Sequence, residues 1–203
     1  MCFRSKKINK YSAVSLFCGA GGLDLGFQLA GFNIVKAYDN WITVVKIYND
    51  NFSHKAEKID AYEINSEYIK QISPTIIIGG PPCQDYSSAG VQDETRGRAD
   101  LTFRFAEIIC KSDTKWFVME NVERIRKSKT LSKTINLFKT HNFGLTQIIL
   151  DASLCKSAKN PVRRSLILTS SRSIGRGSIT GNAVPVNLAK YVAVHLKNIR
   201  KRR

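Results

Sequence analysis

Short apolar runs alternate along this chain with segments in which apolar residues recur at helical spacing. That alternation is typical of repeated βαβ units, which build a mainly parallel sheet flanked by helices. The predicted strands span residues 12–17, 34–38, 75–79, 115–119, 145–150 and 165–169. The predicted helices span residues 23–30, 41–50, 66–71, 102–110, 130–140 and 185–199. The pattern therefore predicts an α/β fold.

Residues 85–100 interrupt this alternation with a polar stretch that contains two glycines. We expect a long mobile loop there, and loops of this length in compact domains are commonly functional. At 203 residues the chain has the length of a single domain.

Charge adds a candidate partner to this picture. The chain carries 32 Lys and Arg against 16 Asp and Glu, which gives a formal net charge of +16. Such an excess favours a polyanionic partner, most often nucleic acid, although a generally basic proteome would have the same effect. No apolar run approaches the roughly 20 residues that cross a bilayer. We therefore expect a cytoplasmic protein with no membrane partner.

The cysteines give no sign of a metal site or a disulfide framework. Their number is odd and they form no Cys-x-x-Cys pair, which argues against structural zinc and against paired thiols. The five positions are Cys2, Cys18, Cys83, Cys110 and Cys155. Reduced thiols in a cytoplasmic protein are the simplest interpretation.

A glycine loop separates the first strand from the first helix in "VSLFCGAGGLDLGF". Glycine lets the backbone turn sharply and approach a ligand closely, and the helix that follows offers free N–H groups. The next strand ends at Asp39, about 20 residues further on, where a carboxylate can bind ribose hydroxyls. A structural turn and a helix N-cap at Asp39 are the alternatives. The combination favours a cofactor that contains adenosine.

A thiol follows the third predicted strand in "IIIGGPPCQDYSSAG". Parallel strands share one direction, so this strand end and the glycine loop should meet at the carboxyl edge of the sheet, where ligands bind. Pro81 and Pro82 restrict the backbone just before Cys83. Glu120 and Asn121 follow the next predicted strand at the same edge. A thiol beside a carboxyl indicates nucleophilic catalysis, with a buried structural cysteine and a helix-capping glutamate as alternatives.

Together these segments resemble the C5-cytosine DNA methyltransferases. "FCGAGGLDLGF" is similar to the family's cofactor loop, "GGPPCQDYSSAG" to its nucleophile loop and "ENV" to its catalytic glutamate motif. "RG" at Arg96–Gly97 resembles the end of its mobile loop, and "GNAVPVNLAKYVAVHL" resembles its last motif. The resemblance implies a Rossmann-like methyltransferase fold that binds S-adenosylmethionine. It also implies a C-terminal helix packed back near the N-terminal strand region.

The resemblance also implies roles for individual residues. Cys83 would be the nucleophile, Glu120 the carboxyl that engages a flipped-out cytosine, and Arg164 a further catalytic group. The residues implied to bind the cofactor are Phe17, Gly19, Gly21, Gly22, Leu23, Asp39, Asp60, Asn182 and Val184. The residues implied to bind the substrate are Pro82, Gln84, Ser87, Asn121, Arg96 and Arg163. Within the cofactor set, Asp39 would bind the ribose and Asp60 the adenine amino group.

Two departures from the family pattern concern recognition of the base and of the DNA sequence. Where family members have an Arg-x-Arg pair, Val162 stands at the first position and Arg164 at the second. Family members also carry a target-recognition domain before the last motif, whereas Arg164 and Asn182 are only 18 positions apart. We therefore expect one catalytic domain over residues 1–203, with target recognition absent or reduced to about 170–180. Either a second protein chain would then supply it, or the protein has weak sequence specificity.

The expected activity is DNA cytosine-5 methylation by a prokaryotic or phage-like protein, in a restriction-modification setting. A degenerate, inactive cofactor-binding homologue and an RNA cytosine methyltransferase are alternatives that fold and motifs leave open. A nonenzymatic nucleic-acid-binding module would explain the charge but not the pairing of Cys83 with Glu120.

Overall fold

The computed structural model describes residues 11–82, 100–151, 163–170, 189–194 and 196, with the backbone alone for 100, 151, 163 and 164. The strands are β1 (Ser12–Leu16), β2 (Asn33–Asp39), β3 (Ala56–Lys58), β4 (Ile76–Gly79), β5 (Phe117–Val122), β6 (Leu145–Asp151) and β7 (Arg163–Ser170). The helices are α1 (Gly22–Leu29), α2 (Ile42–Asn51), α3 (Ser66–Ile72), α4 (Asp100–Lys111) and α5 (Lys129–Thr140). A 3-10 helix spans Glu123–Lys127, and residues 189–194 are also helical.

The seven described strands form one sheet in the order β3-β2-β1-β4-β5-β7-β6. The five strands from β3 to β5 are parallel, while β7 runs antiparallel to both β5 and β6. The chain adds β2 and β3 on one side of β1 and then returns to place β4 on the other side. This reversal between β1 and β4 is a topological switch point, where open α/β sheets bind ligands at the carboxyl ends of the strands.

Two layers of buried side chains cover the sheet. One layer joins α1 and α2 to one face, and the other joins α3, α4 and α5 to the opposite face. The β4 strand contributes side chains to both layers, since Ile76 and Ile78 pack into the first and Ile77 into the second. The side chains of Val192 and Leu196 lie in the first layer with Ala13 of β1. The predicted Rossmann-like fold is confirmed, including a C-terminal helix near the N-terminal strand.

The structure adds one strand to the predicted set and lengthens another. The β3 strand is missing from the prediction because its sequence, Ala-Glu-Lys, has two exposed charged residues and no apolar run. The β5 strand continues to Val122, whereas residue 119 was its predicted end. The continuation is hydrogen-bonded to β7, which pairs with β5 from Val118 to Val122. Within the described ranges, no helix is both long and apolar enough to span a bilayer.

Candidate functional site

Four neighbouring parallel strands are in register near the carboxyl edge of the sheet, where β5 continues furthest, to Val122. The paired row contains Tyr38, Leu16, Gly79 and Met119. The row beyond it contains Asp39, Phe17, Gly80 and Glu120. Adjacent strands lie about 4.8 Å apart, so two strand spacings separate the backbones of Phe17 and Glu120 by roughly 10 Å. The predicted cofactor loop and the predicted catalytic carboxyl therefore share one edge.

Asp39 ties the glycine loop to the start of α2. Its Oδ2 accepts a hydrogen bond of 2.9 Å from the backbone N–H of Gly19, and its Oδ1 accepts one of 2.9 Å from that of Trp41. The loop is also held by a 3.0 Å hydrogen bond from the Cys18 N–H to the carbonyl of Tyr38. Each carboxylate oxygen retains a second lone pair. Asp39 can therefore support the turn and still accept from a ligand hydroxyl.

An open cleft lies directly beside this carboxylate. It is lined by Phe17, Tyr38, Asp39, Asn40, Ile59, Ala61, Ile64 and Leu101. Apolar walls with a few polar groups are typical of small-molecule sites, so the lining of this cleft suits part of a ligand. We call it the Asp39 cleft. The sequence analysis did not identify the apolar residues that line this cleft, among them Ile59 and Leu101. Nothing in the sequence distinguishes them from ordinary core residues.

Gly21 is the glycine that the local packing requires. It precedes α1 with a φ of +91°, and a Cβ at this position would lie 2.2 Å from Cε2 of Phe52. The side chain of Phe52 is itself stacked on Tyr48 at a centroid distance of 4.2 Å, so it has little freedom to move. The space behind the loop is therefore filled by aromatic rings from α2 and the residue after it.

We expect Gly21→Ala to lower the free energy of unfolding by about 3 kcal/mol, because strain at positive φ adds to the clash with Phe52. Gly144→Ala is the matched control, since a Cβ on Gly144 meets no atom within 4 Å. That change should cost less than about 1 kcal/mol. Urea unfolding of both variants measures the difference, and equal losses would contradict the packing described for Gly21.

A buried polar chain supports the loop from below. The Ser15 hydroxyl donates to Oδ1 of Asp24 at 2.6 Å, and the Tyr48 hydroxyl donates to Oδ2 at 2.5 Å. Nε2 of His54 lies 2.5 Å from the Tyr48 oxygen, and Nδ1 of His54 lies 3.3 Å from Nε2 of Gln28. Burial raises the pKa of Asp24 to about 6. The sequence gives no signal for this chain, because its members are spread over β1, α1, α2 and a turn.

The turn after β4 is held against the end of β5. Nδ2 of Asn121 donates a 3.0 Å hydrogen bond to the carbonyl of Pro81, and both groups are buried. A Cβ on Gly80 would lie 3.4 Å from Oε2 of Glu120, so the carboxyl packs directly over the glycine backbone. We call Gly80, Pro81, Glu120 and Asn121 the Glu120 site. It leads directly into Pro82, the last residue before Cys83.

The environment of Glu120 favours the protonated form of its carboxyl, which can donate a proton. Its side chain is 9% exposed, and burial raises its pKa to about 7, with a hydrogen bond to Ser165 acting in the opposite direction. Among the described residues, Oε1 of Glu120 has no hydrogen-bond partner. A buried carboxyl that titrates near neutrality is a marker of functional sites. Within the described residues, this buried oxygen has unused hydrogen-bonding capacity.

The other predicted site residues divide by position. Gly22 and Leu23 begin α1, where Leu23 is buried. Asp60 flanks the Asp39 cleft and accepts a 2.9 Å hydrogen bond from the Tyr62 N–H. Arg163 and Arg164 begin β7, where the backbone alone is described. The remaining predicted positions, Cys83, Gln84, Ser87, Arg96, Asn182 and Val184, lie outside the described residues, as does most of the predicted loop 85–100. In the described part of the chain, no cluster of His, Cys, Asp and Glu could hold a metal ion.

The family model for C-5 cytosine-specific DNA methylases matches residues 11–176. Over 156 residues the chain is 53% identical to the Type II methyltransferase M.HindV of Haemophilus influenzae, which covers 76% of this chain and 51% of that protein. It is 47% identical over 144 residues to M.HgiDI of Herpetosiphon aurantiacus, with coverage of 70% and 47%. The chain thus spans about half the length of these curated relatives.

A solved structure shows the same fold. The crystal structure of a DNA modification methyltransferase encoded within an E. coli prophage superposes with a TM-score of 0.66 at 26% sequence identity. The match covers 79% of this chain and 46% of that one. The sheet and its helices therefore share the fold of that methyltransferase.

Proposed function

We propose that this chain, which belongs to the C-5 cytosine-specific DNA methylase family, is an enzyme. The proposed reaction transfers a methyl group from S-adenosylmethionine to C5 of cytosine in DNA. The observation that carries this proposal is the Glu120 site. It combines a buried carboxyl with a pKa of about 7, an unpartnered oxygen and a backbone turn that leads into Cys83. These are the groups that activation of a pyrimidine ring requires.

The Asp39 cleft fits the nucleoside part of the cofactor. The Asp39 carboxylate would accept hydrogen bonds from the ribose hydroxyls, while Phe17 and Ile59 offer apolar walls to the adenine. A Cβ on Gly19 would meet no atom within 4 Å, so the loop leaves open space at this point. Asp60, Asn182 and Val184 belong to the same proposed site. When bound, S-adenosylmethionine supplies an electrophilic methyl group.

The Glu120 site fits a cytosine taken out of the duplex. A base that is stacked in the duplex cannot reach the buried Glu120 side chain, so the target nucleotide must be flipped out. The protonated Glu120 carboxyl then donates a hydrogen bond to N3 of the ring. Asn121 holds the Pro81 carbonyl and therefore the turn beside the base. The proposed substrate set also includes Pro82, Gln84, Ser87, Arg96 and Arg163.

The chemistry requires a nucleophile because C5 of cytosine is too weak to attack a methyl group unaided. The Cys83 thiolate adds to C6, and the electron pair of the C5–C6 bond moves toward C5 and the ring nitrogen. The proton on Glu120 stabilises the negative charge that develops at N3. Once C5 carries the methyl group, a base removes the C5 proton, the electron pair of that C–H bond forms the C5–C6 double bond, and the thiolate leaves. Arg164 is proposed to assist in positioning the base.

Sequence recognition is proposed to come from polypeptide other than these 203 residues. Residues 171–188 lie between the end of β7 and the first described residue of the C-terminal helix. That length is far below the roughly 50 residues of the smallest ordinary domains, so it is too short for an inserted target-recognition domain. A second protein chain in a restriction-modification setting is the proposed source. A cytoplasmic location follows from the same proposal.

We expect Asp39→Asn to weaken binding of S-adenosylmethionine by about 10- to 100-fold, because it removes a charged acceptor of hydrogen bonds. The matched control is Asp50→Asn, which makes the same change at an exposed residue of α2. Isothermal titration calorimetry measures both affinities. If the two variants bind the cofactor equally well, the assignment of Asp39 fails.

The proposed function is tested by transfer of labelled methyl groups to matched acceptors at low salt. The acceptors are duplex DNA, single-stranded DNA and tRNA of similar cytosine content. We expect the label at C5 of cytosine in duplex DNA. Label confined to tRNA would identify an RNA methyltransferase. Cofactor binding without transfer to any of these acceptors would contradict activity of this chain on its own.

A further inference from the structure

The positive charge of this chain is unevenly distributed. Residues 11–82, which contain the glycine loop and the Asp39 carboxylate, carry five Lys and no Arg against seven Asp and Glu. Residues 124–139 carry six Lys and Arg and no acidic residue. We call residues 124–139 the basic segment. The basic segment therefore contrasts with residues 11–82, where acidic residues outnumber basic ones.

The basic segment begins beside the Glu120 site. The 3-10 helix follows β5 directly, so Arg124 lies four residues after Glu120. The pairing of Val122 with Ser165 brings the start of β7 to the same edge of the sheet. The backbones of Arg163 and Arg164 therefore lie beside the 3-10 helix, which also contacts β7. Two elements that carry positive residues thus lie next to the end of β5, the strand that contains Glu120.

The cationic side chains at the start of the basic segment make no contact with the described residues that would explain their presence through stability of the fold. The side chains of Arg124, Arg126, Lys127 and Lys129 are all exposed. Among the described residues, no hydrogen bond or ion pair joins any of these four side chains to a partner. Lys129 also begins α5, whose first turn has no acidic residue, although the positive end of a helix dipole disfavours a cation. The like charges of these four side chains repel one another, and a ligand with repeated negative charges would relieve that repulsion.

We infer that the exposed cations at the start of the basic segment bind backbone phosphates of duplex DNA next to the target cytosine. This inference rests on the proposed function, because it takes the Glu120 site as the place where the base enters. Phosphate contacts of this kind give affinity and orientation without reading sequence. The acidic balance of residues 11–82 repels the duplex from that half of the molecule. The DNA axis therefore lies over β5 and β7.

The test compares two fourfold variants with the same loss of charge. The first replaces Arg124, Arg126, Lys127 and Lys129 with Gln. The control replaces Lys46, Lys70, Lys111 and Lys115 with Gln. The control lysines are exposed, and three of them lie at helix C-termini or before β5, at the opposite edge of the sheet. Fluorescence anisotropy gives the affinity of each full-length variant for a short labelled duplex over a range of salt concentrations, without cofactor.

We expect the first variant to reduce the slope of log affinity against log salt by about three, and the control to reduce it by less than about one. Variants that keep the charge, Arg124→Lys with Arg126→Lys, should retain the wild-type slope. Equal slopes for the two fourfold variants would overturn the inference. So would a loss of affinity seen with structured RNA but not with duplex DNA.

The binding readout also separates this inference from the proposed function. A chain that binds duplex DNA through these cations but transfers no methyl group would contradict the proposed function alone. A chain that methylates cytosine while its salt dependence is unchanged in the first variant would contradict this inference alone. Circular dichroism of each variant confirms that the substituted proteins are folded.

Discussion

Glu120→Gln is expected to lower the rate of methyl transfer by about 10²- to 10³-fold, the range associated with a positioned acid. The raised pKa of about 7 keeps a large fraction of the Glu120 carboxyl protonated at neutral pH. A glutamine amide can donate a hydrogen bond but cannot release a proton to N3 as charge develops there. The measurement is single-turnover methyl transfer, with Glu63→Gln on the exposed surface as the control.

The pH profile gives a second readout of the same residue. Wild-type activity should fall as the pH rises through about 7, because Glu120 loses its proton. Between the ordinary value of 4.5 and 7 the folded protein binds more protons here than the unfolded chain, so this group lowers stability as the pH rises. Glu120→Gln should remove both trends. A variant that keeps the wild-type profile would show that another group titrates.

Cys83→Ser is expected to reduce methyl transfer by at least about 10³-fold, because removal of a nucleophile abolishes the covalent step. A serine hydroxyl is far less acidic than a thiol and does not form an anion at neutral pH. Binding of S-adenosylmethionine should be unchanged, since the proposed contacts to the cofactor come from the Asp39 cleft and the glycine loop. The measurement is methyl transfer beside calorimetry on the same preparation.

Cys110→Ser is the matched control for this prediction. Cys110 lies half-buried in α4, and burial raises the pKa of its thiol to about 11, so it is almost entirely protonated at neutral pH. Cys18 is also buried, and its pKa is raised. Neither described thiol therefore suits a nucleophile. Loss of activity in Cys110→Ser equal to that in Cys83→Ser would contradict the assignment.

The alternation of apolar and polar residues predicted most of this fold because most elements bury an apolar face. Six of the seven described strands and the five labelled helices correspond to predicted segments. The β3 strand could not be predicted in this way, since its pairing with β2 uses the backbone and two of its three side chains are exposed. The extension of β5 depends on β7, which is distant in the sequence.

The candidate site was only partly visible in the sequence. Asp39 and Glu120 could be singled out because each follows or ends a strand of a parallel sheet, and direction alone brings such positions to one edge. The roles considered for Asp39 were ribose binding and a helix N-cap. Its carboxylate accepts from the N–H groups of Gly19 and Trp41, while Trp41 itself is the N-cap residue of α2. Ribose binding stays a prediction. The raised pKa of Glu120 arises from burial in the folded chain, which no local pattern reports.

The supporting contacts were beyond sequence reasoning because they join distant residues. Gly21 reads as one glycine among several, and its requirement comes from Phe52, which lies 31 positions away. Asp24 belongs to no sequence pattern with a predicted role, yet its carboxyl is buried and bonded to Ser15 and Tyr48. Packing between elements, and not the order of residues, determines these environments.

The central claim is that a thiol and a buried carboxyl act on one cytosine, and covalent trapping tests it most directly. In DNA that carries 5-fluorocytosine, the C5 fluorine cannot leave as a proton does, so the adduct at C6 persists after methylation. Mass spectrometry of the digested complex should find the modified nucleotide on Cys83 and on no other residue. Methylation of ordinary cytosine without any adduct at Cys83 would contradict the account.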